Sequence, residues 1–186
     1  MTAESKINLK NEVKGIWWAG LKALVLCAVA AAAGYFVLPR FMSMPTTIWD
    51  ALIFTLRVDL FILLWVVIGV SLVSHARRQS TADIRGSAFG TPSESIRIKI
   101  AFLENTLEQA FMAIGSHLVL STLVTGESLS FIVVAVALFA VGRVTFYLGY
   151  PNGAASRAFG MFTTMIPTLF IVGYSLVALA RNGLAP

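Results

Sequence analysis

The chain has 186 residues and a formal charge of +5. It is 58% hydrophobic and 12% charged, against about 45–50% and about 25% in soluble domains, so it has too little polar surface to cover a water-exposed fold. Disordered and collagen-like classes are excluded, the single Cys27 rules out an intramolecular disulfide, and an integral membrane protein is what remains.

Spanning a bilayer takes about 20 mostly apolar residues, and five segments reach that length. The first runs from about Ile16 to Leu38 and contains Lys22. Lys6, Lys10 and Lys14 precede it as in a signal peptide, but Trp17, Trp18 and Lys22 break up the apolar start. It therefore reads as a retained anchor helix, with both tryptophans at the lipid headgroups. The second segment, about Ile48 to Ser74, contains Arg57 and Asp59. Those two lie on different faces, so snorkelling or a contact between subunits accounts for them. A longer stretch, His75 to Arg97, holds Gly86, Gly90, Pro92 and several Ser and Thr residues and reads as a loop. The third segment runs from about Ile98 to Val124, the fourth from about Leu129 to Tyr150, and the fifth from about Arg157 to Leu179. His117, in the third, reads as a packing residue. Residues 1–45 thus hold the N-terminal tail and the first of these segments, and residues 46–186 hold the other four.

Basic residues set the expected orientation. Lys6, Lys10 and Lys14 mark the N-terminal tail, and Arg77, Arg78, Arg85, Arg97 and Lys99 mark the long loop. The connector before the second helix has only Arg40, and Thr125 to Ser130 has none. The positive-inside rule then puts the N-terminus, the long loop and the Tyr150–Arg157 turn in the cytoplasm. For a bacterial chain this is the inner (cell) membrane.

Ionisable groups inside spans are costly unless paired or wet, so each is a candidate site residue. The third helix carries Glu104, Asn105 and Glu108, with Asn105 and Glu108 on one face. The fourth carries Arg143 and Tyr150 on one face, followed by the helix-breaking Pro151, Asn152 and Gly153, and Arg157 opens the fifth. Several arginines beside a few acceptors suit a small anion with carboxylates and an ammonium. A Glu108–Arg143 pair that fixes helix packing explains the same residues equally well.

These residues resemble the MAPEG family, the membrane-associated proteins in eicosanoid and glutathione metabolism. The resemblance rests on Ala76-Arg77-Arg78 ending the second helix, on Asn105-x-x-Glu108, and on Arg143, Tyr150 and Arg157 spaced seven apart within Gly142 to Arg157. It covers about residues 46 to 181 and leaves the first helix as an addition. It implies an all-α membrane protein: a MAPEG-like four-helix transmembrane bundle plus one N-terminal helix, assembled as a homotrimer. It also implies glutathione as co-substrate, bound between subunits near the cytosolic face and touching Asn105, Glu108, Arg143, Tyr150 and the loop arginines Arg77 or Arg78. Arg157 matches the arginine that activates the glutathione thiol.

The implied activity is a glutathione-dependent transferase or peroxidase acting on a lipophilic electrophile from the membrane. The alternative is a non-catalytic protein on the same fold that assembles as an oligomer or binds another small anion. Three family positions differ. Ala101 stands where an arginine is common, Gln109 where a tyrosine often follows the glutamate, and Phe146 at the inner tyrosine position. Each lost bond to a charged ligand is worth about 1.5–3 kcal/mol, so weaker glutathione binding is expected.

Overall fold

The computed structural model describes residues 8–183, so Lys6 lies outside the described residues. Five long helices account for most of it: α1 (Leu9–Val37), α2 (Ile48–Arg78), α3 (Glu94–Ser121), α4 (Ser130–Gly149) and α5 (Ala154–Asn182). Each of the first three starts at a polar residue that the hydropathy pattern passes over. Asn8 caps α1 by accepting the Asn11 amide. The Thr47 hydroxyl accepts the Asp50 amide at 3.1 Å and donates to the Asp50 carboxylate at 2.7 Å. Ser93 is the cap position of α3.

α2 runs on past Ser74 to Arg78, which places His75, Arg77 and Arg78 in its last turn, at the negative end of the helix dipole. The long connector is correspondingly shorter than the sequence suggests and is tied together by Asp83. Its carboxylate accepts the hydroxyls of Ser80 and Ser93, both at 2.6 Å, and the Ser93 amide at 2.9 Å. Hydrogen bonds from Ser80 and then Ser93 hold the Asp83 pKa below the ordinary carboxylate range.

Among the described residues, α1 with the turn after it, α2, α4 and α5 are long and apolar enough to cross a membrane. α3 has the length but not the hydropathy, a difference from the five spans read in the sequence. Glu104, Asn105, Glu108 and Gln109 fall within two turns of it. Leu56, Leu60, Phe61 and Leu64 of α2 are exposed, as lipid-facing side chains should be. Trp17 and Trp18 near the start of α1, and Trp49 at the start of α2, are exposed at opposite ends of the bundle, where interfacial tryptophans belong.

α2 packs on α3 and α4 on α5, and α1 lies along α5 and α4. The core has one cluster around Ile132, Leu129 and Ala51 and another around Ile62, Ala110 and Phe139. The α4–α5 contact is backbone on backbone. A Cβ on Gly142 would sit 2.8 Å from the Gly160 carbonyl oxygen, and one on Gly160 would strike the Phe146 amide. Small residues give membrane helices this kind of close approach.

α1 docks through Cys27, Val134 and Leu138. Pro167 lies inside α5 and has no N–H, so the Thr163 carbonyl lacks its helical donor. Cys27 supplies one from the neighbouring helix, its thiol donating to that carbonyl at 3.8 Å. An orphan carbonyl at membrane depth has no water to turn to, which gives this cysteine a structural task.

Candidate functional site

The turn between α4 and α5 builds the site. Pro151 lies in a short 3-10 turn, Tyr150–Asn152, and Gly153 follows with φ 96°, a left-handed conformation that favours glycine. The chain then enters α5 at Ala154, so Arg157 ends the first turn instead of opening the helix. The Arg157 guanidinium lies over the Tyr150 ring, 4.3 Å from its centroid. Phe146 meets the Tyr150 ring edge-on, with centroids 5.5 Å apart.

Arg143 has a different role from the one the sequence suggests. It is fully buried, and its guanidinium donates to the Asn105 side-chain oxygen and to the Thr164 hydroxyl, each at 2.7 Å. The close approach of α4 to α5 puts Thr164 within its reach. The guanidinium carbon also lies 4.9 Å from the Phe146 ring centroid. Arg143 therefore ties three helices together and orients Asn105; it does not line the cavity. The Glu108–Arg143 pair that the sequence equally allowed does not form: Glu108 is exposed, and Arg143 bonds Asn105 and Thr164 instead.

A half-open cavity of about 350 Å³ lies between α3, α4 and α5 and is walled on one side by Ile16 of α1. That falls within the range of small-molecule sites, about 300–1,000 Å³. Asn105, Tyr150 and Arg157 supply its polar edge, while Ala101 and Phe146 make the rest of the wall apolar. Among the described residues the Asn105 amide nitrogen has only the Met161 sulfur, at 3.5 Å, as a partner, a weak acceptor that leaves it ready for a better one. Glu12 of α1 reaches the same turn, where its carboxylate accepts the Ala155 amide at 2.9 Å and caps α5.

Of the residues expected at the site, the structure brings together Asn105, Tyr150 and Arg157, with Arg143 behind Asn105. Arg77 and Arg78 line a separate cavity of about 320 Å³ with Val70 and Leu103. Arg77 donates there to the Ser87 hydroxyl at 2.8 Å. Arg97 is exposed outside the cavity, so it does not replace Ala101. Gln109 is buried.

Sequence reasoning missed the pairing of Asp59 with His117. The His117 ring nitrogen Nδ1 lies 2.7 Å from the Asp59 carboxylate, and both residues are buried. Snorkelling is thus corrected for Asp59: the low-dielectric interior strengthens a polar contact and makes an unpaired charge costly. The signal was available, because the two residues lie about equally far from the α2–α3 connector and meet when those helices fold back on each other.

The MAPEG family model matches residues 53–177, from α2 to most of α5, and leaves α1 outside. The chain is 27% identical to transmembrane protein 79 of Bos taurus over 147 residues, covering 79% of this chain and 36% of the relative. It is 25% identical to transmembrane protein 79 of Mus musculus over 154 residues, covering 83% and 39%. The chain thus spans less than two fifths of the length of either relative. No solved structure matches it.

Proposed function

From the premise that the chain belongs to the MAPEG family, and is an integral membrane protein, we propose that it binds glutathione in the α3–α4–α5 cavity. There it activates the thiol for attack on a lipophilic electrophile. One observation carries the reading: a guanidinium held on the Tyr150 ring at the mouth of a cavity that also presents Asn105.

The thiolate is the nucleophile, and a free thiol of pKa about 8.5 is only a few per cent ionised at neutral pH. Lowering that pKa by two units takes about 2.7 kcal/mol of preferential thiolate stabilisation. Arg157 is always protonated and cannot serve as a base, so its contribution is electrostatic. The cation–π contact fixes its position, and the proton leaves to solvent. The sulfur then forms a bond to the electrophilic carbon as the leaving group departs with its electron pair. With a lipid peroxide it attacks one oxygen, the O–O bond breaks, and the alkoxide leaves and takes a proton from solvent. A second glutathione then converts the resulting sulfenic acid to disulfide and water. Asn105, held by Arg143, offers its amide nitrogen to a glutathione carboxylate.

A homotrimer with the connector end in the cytoplasm completes the reading. Glu104, Leu107, Glu108, Phe111 and Met112 form one exposed stripe on α3. Carboxylates facing lipid are expensive, so a neighbouring subunit covering that stripe relieves the cost. On this reading Glu108, Arg77 and Arg78, which stand away from their own chain's cavity, serve that of a neighbouring subunit.

A second reading, a MAPEG-fold protein without glutathione chemistry, is favoured by the apolar wall at Ala101 and Phe146 and by Glu12 already holding an α5 amide. Thiolate ultraviolet absorbance of the purified protein mixed with glutathione separates the two. The first reading expects a signal that Arg157→Ala abolishes, and no signal from the unaltered protein at millimolar glutathione overturns it.

A further inference from the structure

The α1–α5 groove has a second, wholly apolar half. Beyond Phe162, which packs against Gly20, it widens into a cavity of about 220 Å³ bounded by Cys27 and Ala31 of α1, Val134 and Leu138 of α4, and Pro167 and Phe170 of α5. The cavity lies toward the opposite end of the bundle from Arg157. It is larger than the roughly 150 Å³ apolar cavity that takes up benzene. Protein interiors pack with few voids of this size. Its apolar lining offers water almost no hydrogen-bond partners.

Beside it lies a smaller cavity of about 120 Å³ that shares the walls Phe131, Phe170 and Ile171 and is also lined by Ser128 and Tyr174. The two together grade from hydrocarbon at membrane depth to hydroxyl groups near the α3–α4 turn. Leu24 and Phe170, on the rim, are more than half exposed, so the groove opens sideways toward lipid. The α1 wall lies outside the region matched by the family and exists because α1 docks beside Pro167.

We propose that this groove is a binding site for one acyl chain of a bilayer phospholipid. The chain lies between α1, α4 and α5, and the head is directed to Ser128 and Tyr174. The assignment follows from the gradient: a single-chain hydrocarbon fills the apolar half, an ester or phosphate oxygen accepts from the two hydroxyls, and the side opening faces the only solvent that supplies such molecules. It rests on the membrane assignment and not on glutathione chemistry.

The test is photolabelling of the full chain in phosphatidylcholine vesicles doped with a phosphatidylcholine that carries a diazirine on its acyl chain. The expected result is adducts enriched on residues 24–31, 131–138 and 166–171 over the exposed face of α2, with the enrichment lost in Ala31→Phe. If Ala31→Phe fails to fold, Ala28→Leu narrows the same groove more gently and is expected to reduce the enrichment. Even labelling over every lipid-facing helix, or enrichment unchanged in the narrowing variants, overturns the proposal. So does labelling by a diazirine fatty acid but not by the phospholipid. Cys27 is the sole cysteine, so Cys27–Cys27 cross-linking between chains also overturns it, by showing a second copy in the groove.

Discussion

Each of the two antiparallel hairpins buries an ionisable group between its helices, and the two do so differently. In α2–α3, Asp59 and His117 close on each other at 2.7 Å, and both are buried. In α4–α5, Arg143 is equally buried but bonds only neutral partners, and the helix turn beyond it leaves Arg157 at a cavity mouth. Buried charge alone is therefore a poor marker of chemistry. The useful marker is a positioned charge with a free face beside space, supported from behind by one that has none.

Substitutions in the buried groups should break this comparison on the side of stability. Asp59→Ala leaves His117 without its partner, and breaking a buried pair costs about 3–5 kcal/mol. A large drop in the detergent unfolding temperature is expected. Arg143→Ala opens a void worth about 2–5 kcal/mol and leaves Asn105 and Thr164 dry, so a comparable loss is expected by the same assay. Retention of full stability in either variant would mean that the hairpins are held by other contacts.

Glu12 sharpens the comparison from the side of the added helix. Its carboxylate sits in the turn that carries Arg157, where a negative charge is worth about 0.3–1 kcal/mol. Glu12→Gln should slightly lower the unfolding temperature and tighten binding of an anionic ligand, which calorimetry on the variant would register.

The smallest effect is expected at the connector. The Asp83 carboxyl is held below its ordinary range in the folded chain, so its contribution is complete above the unfolded aspartate pKa, about 3.9. It is lost as acid carries the pH down through the folded value. The protection of the Ser93 amide against hydrogen exchange, taken relative to the intrinsic rate at each pH, should fall in that acid window, and Asp83→Asn should flatten the change.

The helical class and most of the α4–α5 turn were legible in the sequence, because long apolar runs and the Arg143–Tyr150–Arg157 spacing are local signals. The charge pattern also put the N-terminus, the long connector and the α4–α5 turn together, and Glu12 against Ala155 and Phe102 against Tyr147 bring them to one end of the bundle. Which polar groups meet was less legible. Glu108 and Asn105 lie three apart, yet only Asn105 turns toward α4, because a helix face is wider than the gap into which it packs. The close approach of Gly142 to Gly160 decides that Arg143 reaches Thr164 and not the cavity, and nothing in either segment alone announces that contact.

On the proposed reading Arg157, half-buried against the Tyr150 ring, acts on a bound thiol and contributes little to the fold. Titrating glutathione into the detergent-solubilised protein by calorimetry, beside folded Arg157→Ala, tests it most directly. Saturable heat from the unaltered chain, lost in an Arg157→Ala variant that unfolds at the same temperature, is the expected result. No heat from the unaltered chain, or equal binding by both, would contradict it.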